Sequence, residues 1–272
     1  MRTPLSTRVR LLGRDQIYPF EWSSASLSGN GAELWDRSVV MHPFLAARFD
    51  QDRYLLLDGT SLFRKLADIG LLHVPVQVCS HRSLKVSSQK LGLIDFTLDD
   101  LIRLSTKYPR RIMIGNGRGS KPNDSMQLEF TFVNCGQKQV WLRHSNGSGC
   151  PVPLENVFRA IASKGRYLPI AKRITSCRDS VYKAATCSGT VKVPSFGVDD
   201  LISAAVSGRL FPPGIISVSS DCRVFNIDFP LSVLESDISL QDKELFLQDL
   251  IAFREQSCRT SLFEGRIYLL NR

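Results

Sequence analysis

No stretch of this sequence has the unbroken apolar length that a bilayer-spanning helix requires, about 20 residues. The first residues, Met1-Arg2-Thr3-Pro4, lead into a charged segment and lack the apolar core of a secretory signal. Both features lead us to expect a cytoplasmic protein with no membrane partner. Cysteine is sparse and scattered: Cys79, Cys135, Cys150, Cys177, Cys187, Cys222 and Cys258 form no CxxC pair. The four histidines, His42, His73, His81 and His144, are equally dispersed. Neither a disulfide framework nor a structural zinc site is expected, and the thiols are read as reduced and mostly buried. There is no internal repeat and no low-complexity tract, which excludes a repeat array and a compositional tail.

What is present fits a globular protein. Hydrophobic residues make up 43% and charged residues 22% of the 272 residues. That length suits two packed subdomains. The formal charge is +9 and the pI is about 9.4. A basic surface attracts nucleotides, acidic metabolites or nucleic acid without choosing among them.

Periodicity gives an α/β reading, with α+β character. Thr7 to Leu12 alternates as a half-buried strand does. Glu33 to Val40 reads as a short helix, and Phe44 to Phe49 as a strand. After the turn Asp50-Gln51-Asp52, Tyr54 to Leu57 is a fully apolar strand of the buried type. Thr60 to Ile69 is a helix with Leu62, Phe63, Leu66 and Ile69 on one face, and Gly70 stands where a C-cap glycine belongs. Val74 to Val78 is the next strand.

The stretch from Cys79 to Asn123 yields one helix, Leu98 to Leu104, capped by Thr97. Lys107 to Lys121 reads as an exposed basic, glycine-rich loop. Its Gly115-Asn116-Gly117-Arg118-Gly119-Ser120-Lys121 run has the wrong spacing for a Walker loop, and Pro122 rather than an apolar helix follows. Its cations Lys107, Arg110, Arg111, Arg118 and Lys121 offer a weak nucleic-acid signal with no recognition helix. Beyond it, Met126 to Val133 alternates as a strand that Val140 to Leu142 can join. Helices are expected at Pro153 to Ser163, Val198 to Ser207 and Gln241 to Arg254. A hairpin is expected about Ser219-Ser220-Asp221, and a last strand at Gly265 to Leu270.

The strongest local signal is Tyr54-Leu55-Leu56-Leu57-Asp58-Gly59-Thr60-Ser61. A buried strand enters a glycine turn and then a helix, whose first N–H groups and positive dipole end suit a phosphate. Gly59 permits close approach, Thr60 and Ser61 add hydroxyls, and Asp58 can position a metal ion or a substrate hydroxyl. On spacing alone, Asp58 and Thr60 are equally read as caps of a structural helix.

His42-Pro43, Arg53 to Gly59, Leu66, Gly70 and Val74-Pro75-Val76 together resemble the signature of the ParB/sulfiredoxin superfamily. More narrowly, the chain resembles the free L-serine kinases of staphyloferrin B-type siderophore biosynthesis. Phe211 to Gly214, Ser219 to Asn226, Phe229-Pro230-Leu231 and Arg266 to Leu269 are similar to that family's C-terminal domain. The resemblance implies a ParB/sulfiredoxin-like nucleotide-binding domain over residues 1–105, a basic junction over 106–125 and a C-terminal α/β domain over 126–272 that closes over the site. It implies phosphorylation of free L-serine to O-phospho-L-serine by ATP, or ADP, with Mg²⁺.

Glu21 falls on the family's catalytic base, and Asp58 on the aspartate of its Asp-Gly-x-His-Arg motif, where it would also approach Mg²⁺. Gly59, Thr60, Ser61 and His42 are the candidates to contact the nucleotide, and Arg64, on the same side of the helix as Ser61, is read either as a partial replacement for the family's cations or as a solvated surface charge. Where the family has His-Arg, this sequence has Ser61-Leu62, which carry no charge. That departure keeps a second reading open: a nucleotide-responsive, DNA-binding relative of ParB, or a member without catalysis. From the residues alone, Glu21 is read as a solvated loop carboxylate, and His42 as either facing the pocket or hydrogen-bonded in the interior.

Overall fold

The computed structural model describes residues 8–22, 38–107, 113–116, 128–132, 138–143, 157–162, 166–170, 187–257, 260–263 and 267–270. The chain divides into two compact units. The first takes the chain up to Lys85, Leu201–Gly208 and the chain from Val218 onward; the second takes Val86–Asp200 and Arg209–Ser217.

The first unit begins with β1 (Val9–Gly13), β2 (Ile17–Pro19), β3 (Val39–Val40), β4 (Phe44–Asp50) and β5 (Arg53–Leu56). Helix α1 (Thr60–Asp68) and β6 (His73–Ser80) follow. The middle of the chain forms β7 (Lys85–Ser88), β8 (Lys90–Ile94), α2 (Leu98–Lys107), β9 (Met113–Asn116), β10 (Leu128–Phe132) and β11 (Lys138–Arg143). A helix α3 over 157–162 comes next, then β12 (Arg166–Ile170), β13 (Cys187–Lys192), α4 (Val198–Ser207) and β14 (Ile216–Ser219). The chain ends in β15 (Arg223–Phe225), β16 (Phe229–Pro230), α5 (Leu231–Glu235), α6 (Leu240–Gln256), β17 (Thr260–Phe263) and β18 (Ile267–Leu270).

The first unit is built on a five-stranded mixed sheet in the order β1-β6-β4-β5-β2. Neighbours alternate from antiparallel (β1 with β6, β4 with β5) to parallel (β6 with β4, β5 with β2). Its central strands are apolar because both faces are covered: Ala46, Leu55, Leu56 and Val76 are fully buried. Leu66 and Phe63 of α1 pack on this core, as do Val224, Ile227, Phe229, Leu247 and Ile251 from the end of the chain. Helix α1 ends as Gly70 promised. Gly70 takes φ +85°, its N–H donates to Ala67 O, and Leu71 N–H reaches back to Leu66 O. That is a Schellman closure with Leu66 and Leu71 both buried beneath it.

Two devices fasten the end of the chain to this sheet. On the outer edge of β1, Glu244 of α6 accepts the Leu11 N–H (2.6 Å) and Gln248 Nε2 donates to Val9 O (2.9 Å). Side chains thus supply what a sixth strand would. On β6, Gln77 is 1% exposed. Its Oε1 accepts from Val224 N (2.8 Å) and its Nε2 donates to Cys222 O (3.0 Å), so one amide holds the backbone on both sides of Arg223. Gln77→Leu strands a buried donor and a buried acceptor, each costing about 1–3 kcal/mol. Urea unfolding is expected to show a loss of about 2–6 kcal/mol with the slope unchanged.

The second unit holds a six-stranded sheet in the order β12-β8-β13-β10-β11-β9, all of whose pairs are antiparallel. Thr97 caps α2 as expected, its Oγ1 accepting from Asp100 N while the Asp100 carboxylate accepts from Thr97 N.

Several expectations are corrected. Val39–Val40 is a strand pairing with β16, not the end of a helix; the remainder of that expected helix lies outside the described residues. The region after Cys79 contains β7, β8 and β9 besides its helix, and β9 interrupts the expected basic loop, most of which lies outside the described residues. Ser219 to Asp221 does not join a hairpin: β15 pairs in parallel with β18. Two apolar runs around a polar turn do not specify their partners, and a competing parallel edge captured β15.

Candidate functional site

The parallel register of β2 and β5 pairs Ile17 with Tyr54, Tyr18 with Leu55 and Pro19 with Leu56. Glu21 stands two residues past Pro19, and Asp58 two residues past Leu56. Both positions expected to carry chemistry therefore follow the carboxyl ends of adjacent parallel strands, which run about 4.8 Å apart. Ligands favour this end of an α/β sheet.

Asp58 completes the ladder between β4 and β5. Leu57 N–H donates to Leu45 O (2.8 Å), and Leu45 N–H donates to Asp58 Oδ1 (2.9 Å). Its other oxygen is paired with the Arg223 guanidinium. Asp58 thus does not cap α1, which disposes of one of its two expected roles. Its side chain keeps 41% exposure, whereas that of Arg223 keeps 17%. Burial pushes the Asp58 carboxyl above its ordinary value, against the opposing pull of Arg223 and of the Leu45 amide.

Gly59 is the N-cap residue of α1, at φ 74°, and no described side chain caps the helix. The first helical bond is Phe63 N–H to Gly59 O (2.8 Å). The amides of Thr60, Ser61 and Leu62 precede the reach of that ladder and point out of the helix end. A Cβ on Gly59 would lie 2.8 Å from Phe44 Cδ1, so the aromatic ring of β4 closes the space beneath the turn. Of the expected nucleotide residues, Thr60 is buried, Ser61 is half-buried at the helix start, and Arg64 is exposed a turn further on. Cys79 is inert: burial pushes its thiol up to about 12.

His42 precedes β4 and therefore comes to the same end of the sheet as Asp58. Its Nδ1 accepts from Asn226 N–H (3.1 Å), which fixes the neutral ring's proton on Nε2. The ring meets Phe225 edge-on at 5.2 Å. Burial, and then Arg223, hold its pKa below the ordinary value, while Asp228 and Asp58 pull the other way. A lowered histidine pKa means that the unfolded chain binds the proton first. The resulting stability is complete above the unfolded value, near 6.5, and is lost as pH falls through the folded value. His73 shifts in the same direction, chiefly through burial. We expect the thermal midpoint to drop between pH 7 and 5. His42→Asn, which retains an acceptor for Asn226, is expected to flatten part of that slope in scanning calorimetry.

Arg223 was not among the residues singled out from sequence. It lies in a segment marked there only as similar to a C-terminal domain, and no local spacing ties it to Asp58, 165 positions away. Beyond it the chain is held in two left-handed residues, Asn226 (φ 58°) and Asp228 (φ 43°). Arg254 fixes both, donating to Asn226 O and lying 3.8 Å from Asp228 Oδ2. Such strain is sustained only where surrounding contacts impose it.

The same arrangement of the backbone occurs in solved structures. A truncated SbnI from Staphylococcus aureus superposes with a TM-score of 0.75 over 92% of this chain and 98% of that one, at 16% identity. A free serine kinase in complex with AMP gives a TM-score of 0.65 over 84% of this chain and 93% of that one, at 14% identity. This chain has the free serine kinase fold. A variant of a free serine kinase in complex with ADP matches with a TM-score of 0.64, at 12% identity over 84% of this chain and 94% of that one. No family model matches the sequence, nor does any curated protein. Among the described residues no helix is long and apolar enough to cross a membrane, and no group of three or more His, Cys, Asp or Glu side chains stands together as a metal site.

Proposed function

We propose that this chain is a ParB/sulfiredoxin-like small-molecule kinase that phosphorylates the hydroxyl of free L-serine, with ATP or ADP as donor, in the service of a specialised metabolic pathway. The observation that carries the reading is the uncapped start of α1 at the carboxyl end of β5, with Glu21 just past the carboxyl end of the adjacent parallel strand β2. Free helix-end amides hold a phosphate group without needing a side chain. The fold shared with a kinase that binds AMP and ADP supports a nucleotide in that cradle.

The roles follow from position. The serine oxygen attacks the terminal phosphorus, its bond to the leaving phosphate breaks, and the hydroxyl proton passes to Glu21. Asp58, held by Leu45 and Arg223, orients the hydroxyl. The backbone of Gly59 to Ser61 receives the donor's phosphates, with His42 alongside and Arg64 at the outer rim. Arg223 occupies the Asp58 oxygen that a metal ion would take, so Asp58 is a poor direct ligand in this arrangement. Mg²⁺ in this reading travels with the nucleotide and neutralises phosphate charge.

The test is incubation of the full chain with L-serine, Mg²⁺ and either ATP or ADP, followed by detection of phosphoserine; no product with either donor overturns the reading. One observation favours a second function: the first turn of α1, Thr60-Ser61-Leu62, carries no cation, while the chain carries +9 overall. A nucleotide-responsive DNA-binding protein would instead give a steeply salt-dependent shift of duplex DNA.

A further inference from the structure

An arginine fork has five N–H donors, and a buried donor is ordinarily paired. Arg223 breaks that rule on one side. Its Nη2 is engaged with Asp58, and its ring partner is Phe225, whose centroid lies 5.3 Å from the guanidinium carbon. An aromatic ring offers no conventional acceptor. Nη1 is buried and has no hydrogen-bond partner among the described residues. The side chain did not drift into this position, because Gln77 grips the backbone at Cys222 and Val224 on either side of it. Its anchor, Asp58, directly precedes Gly59 and the open amides of α1. A fixed cation with an unspent donor thus stands beside a helix end that offers several more and has no charge of its own.

We propose that Arg223 is the phosphate-binding cation of this site. A phosphate oxygen takes Nη1, while Asp58 keeps Nη2 and holds the fork in place; charge-assisted pairing of this kind is stronger than any amide contact alone. The ligand's identity rests on the kinase reading above, and two sources carry the same chemistry: the phosphates of a nucleotide, and the phosphate of O-phosphoserine. A salt link supplied by residue 223 completes the site from the far end of the chain.

The experiment is calorimetric titration of the full chain with ADP, O-phosphoserine and inorganic phosphate, using wild type, Arg223→Met, Arg223→Lys and the double variant D58N/R223M. The double variant removes the carboxylate that an unpaired Asp58 would turn against phosphate. Loss of a desolvated charge partner predicts binding weaker by about 30-fold or more in both methionine variants, with lysine intermediate. The probe that loses affinity identifies which phosphate Arg223 holds. Binding within threefold of wild type in the double variant overturns the proposal and leaves the kinase reading intact. If wild type binds none of the three probes, the proposal falls, and the phosphoserine assay decides the kinase reading separately. Should the methionine variants fail to give a cooperative thermal transition, Arg223→Lys decides: unchanged affinity overturns the proposal, and a clear loss sustains it.

Discussion

Glu21→Gln is expected to lower the turnover of serine by about 10²–10⁴-fold while leaving nucleotide affinity within a few-fold of wild type. Glutamine has nearly the shape of glutamate but does not take a proton, so the variant separates base chemistry from folding. Residue 21 follows the carboxyl end of β2, whose parallel neighbour β5 leads into Asp58. A residue that acts only after the donor is bound belongs in kcat and not in binding. The measurement is a steady-state assay of phosphoserine formation over a range of serine concentrations, paired with calorimetric titration of ADP. A variant that retains wild-type turnover removes Glu21 from the chemistry. One that loses ADP binding along with turnover assigns it to structure.

Gly59→Ala is expected to strike both the fold and the ligand site. Residue 59 sits at φ 74°, and an added methyl group would come within 2.8 Å and 2.9 Å of the Phe44 ring. The left-handed backbone costs a non-glycine residue about 1–2 kcal/mol. Overpacking against a buried aromatic adds about 1–3 kcal/mol. Phe44 cannot readily yield, because it is buried and packed edge-on against Phe63 at 5.9 Å. Urea unfolding is expected to show a loss of about 2–5 kcal/mol. Ligand-dependent thermal stabilisation by ADP is expected to disappear as well, because relieving the clash tilts the first turn of α1. Gly59→Ala with wild-type stability would show that the turn is soft and not a preformed cradle. A Phe44→Leu background tests the cause, since shortening the ring is expected to restore part of the loss.

The architecture of the first unit was legible wherever one physical signal acted alone. Tyr54 to Leu57 is apolar throughout because both faces of β5 are covered, and Gly70 marks a helix end because its left-handed turn excludes other side chains. The Asp-Gly turn and the flanking strands stood out for the same reason. Residues Lys85 to Ile94 were not legible: their strands are short and only partly apolar, and their partners lie in distant sequence, so no local period declares them. The supposed hairpin near Ser219 failed at the same point, since pairing is chosen by which edge is open and not by the strand itself. Within the candidate site, the strand-turn-helix frame could be read, and the position of Glu21 came only through resemblance. Arg223 could not be reached from local pattern, because what distinguishes it is a partner 165 positions away and a nitrogen without a partner among the described residues, neither of which is written in its neighbourhood.

The outer edge of β1 has a consequence in time. Leu11 leaves the ribosome 233 positions ahead of Glu244, and Val9 239 positions ahead of Gln248, the residues that cover them. At a typical rate of about 5–20 residues per second, that edge waits many seconds for its cover. Throughout that interval it is a bare template for any passing strand. Such distant pairing also makes folding slow once synthesis ends. A nascent chain halted before α6 is therefore expected to be the aggregation-prone species, and chaperone demand should fall sharply once Gln248 has emerged.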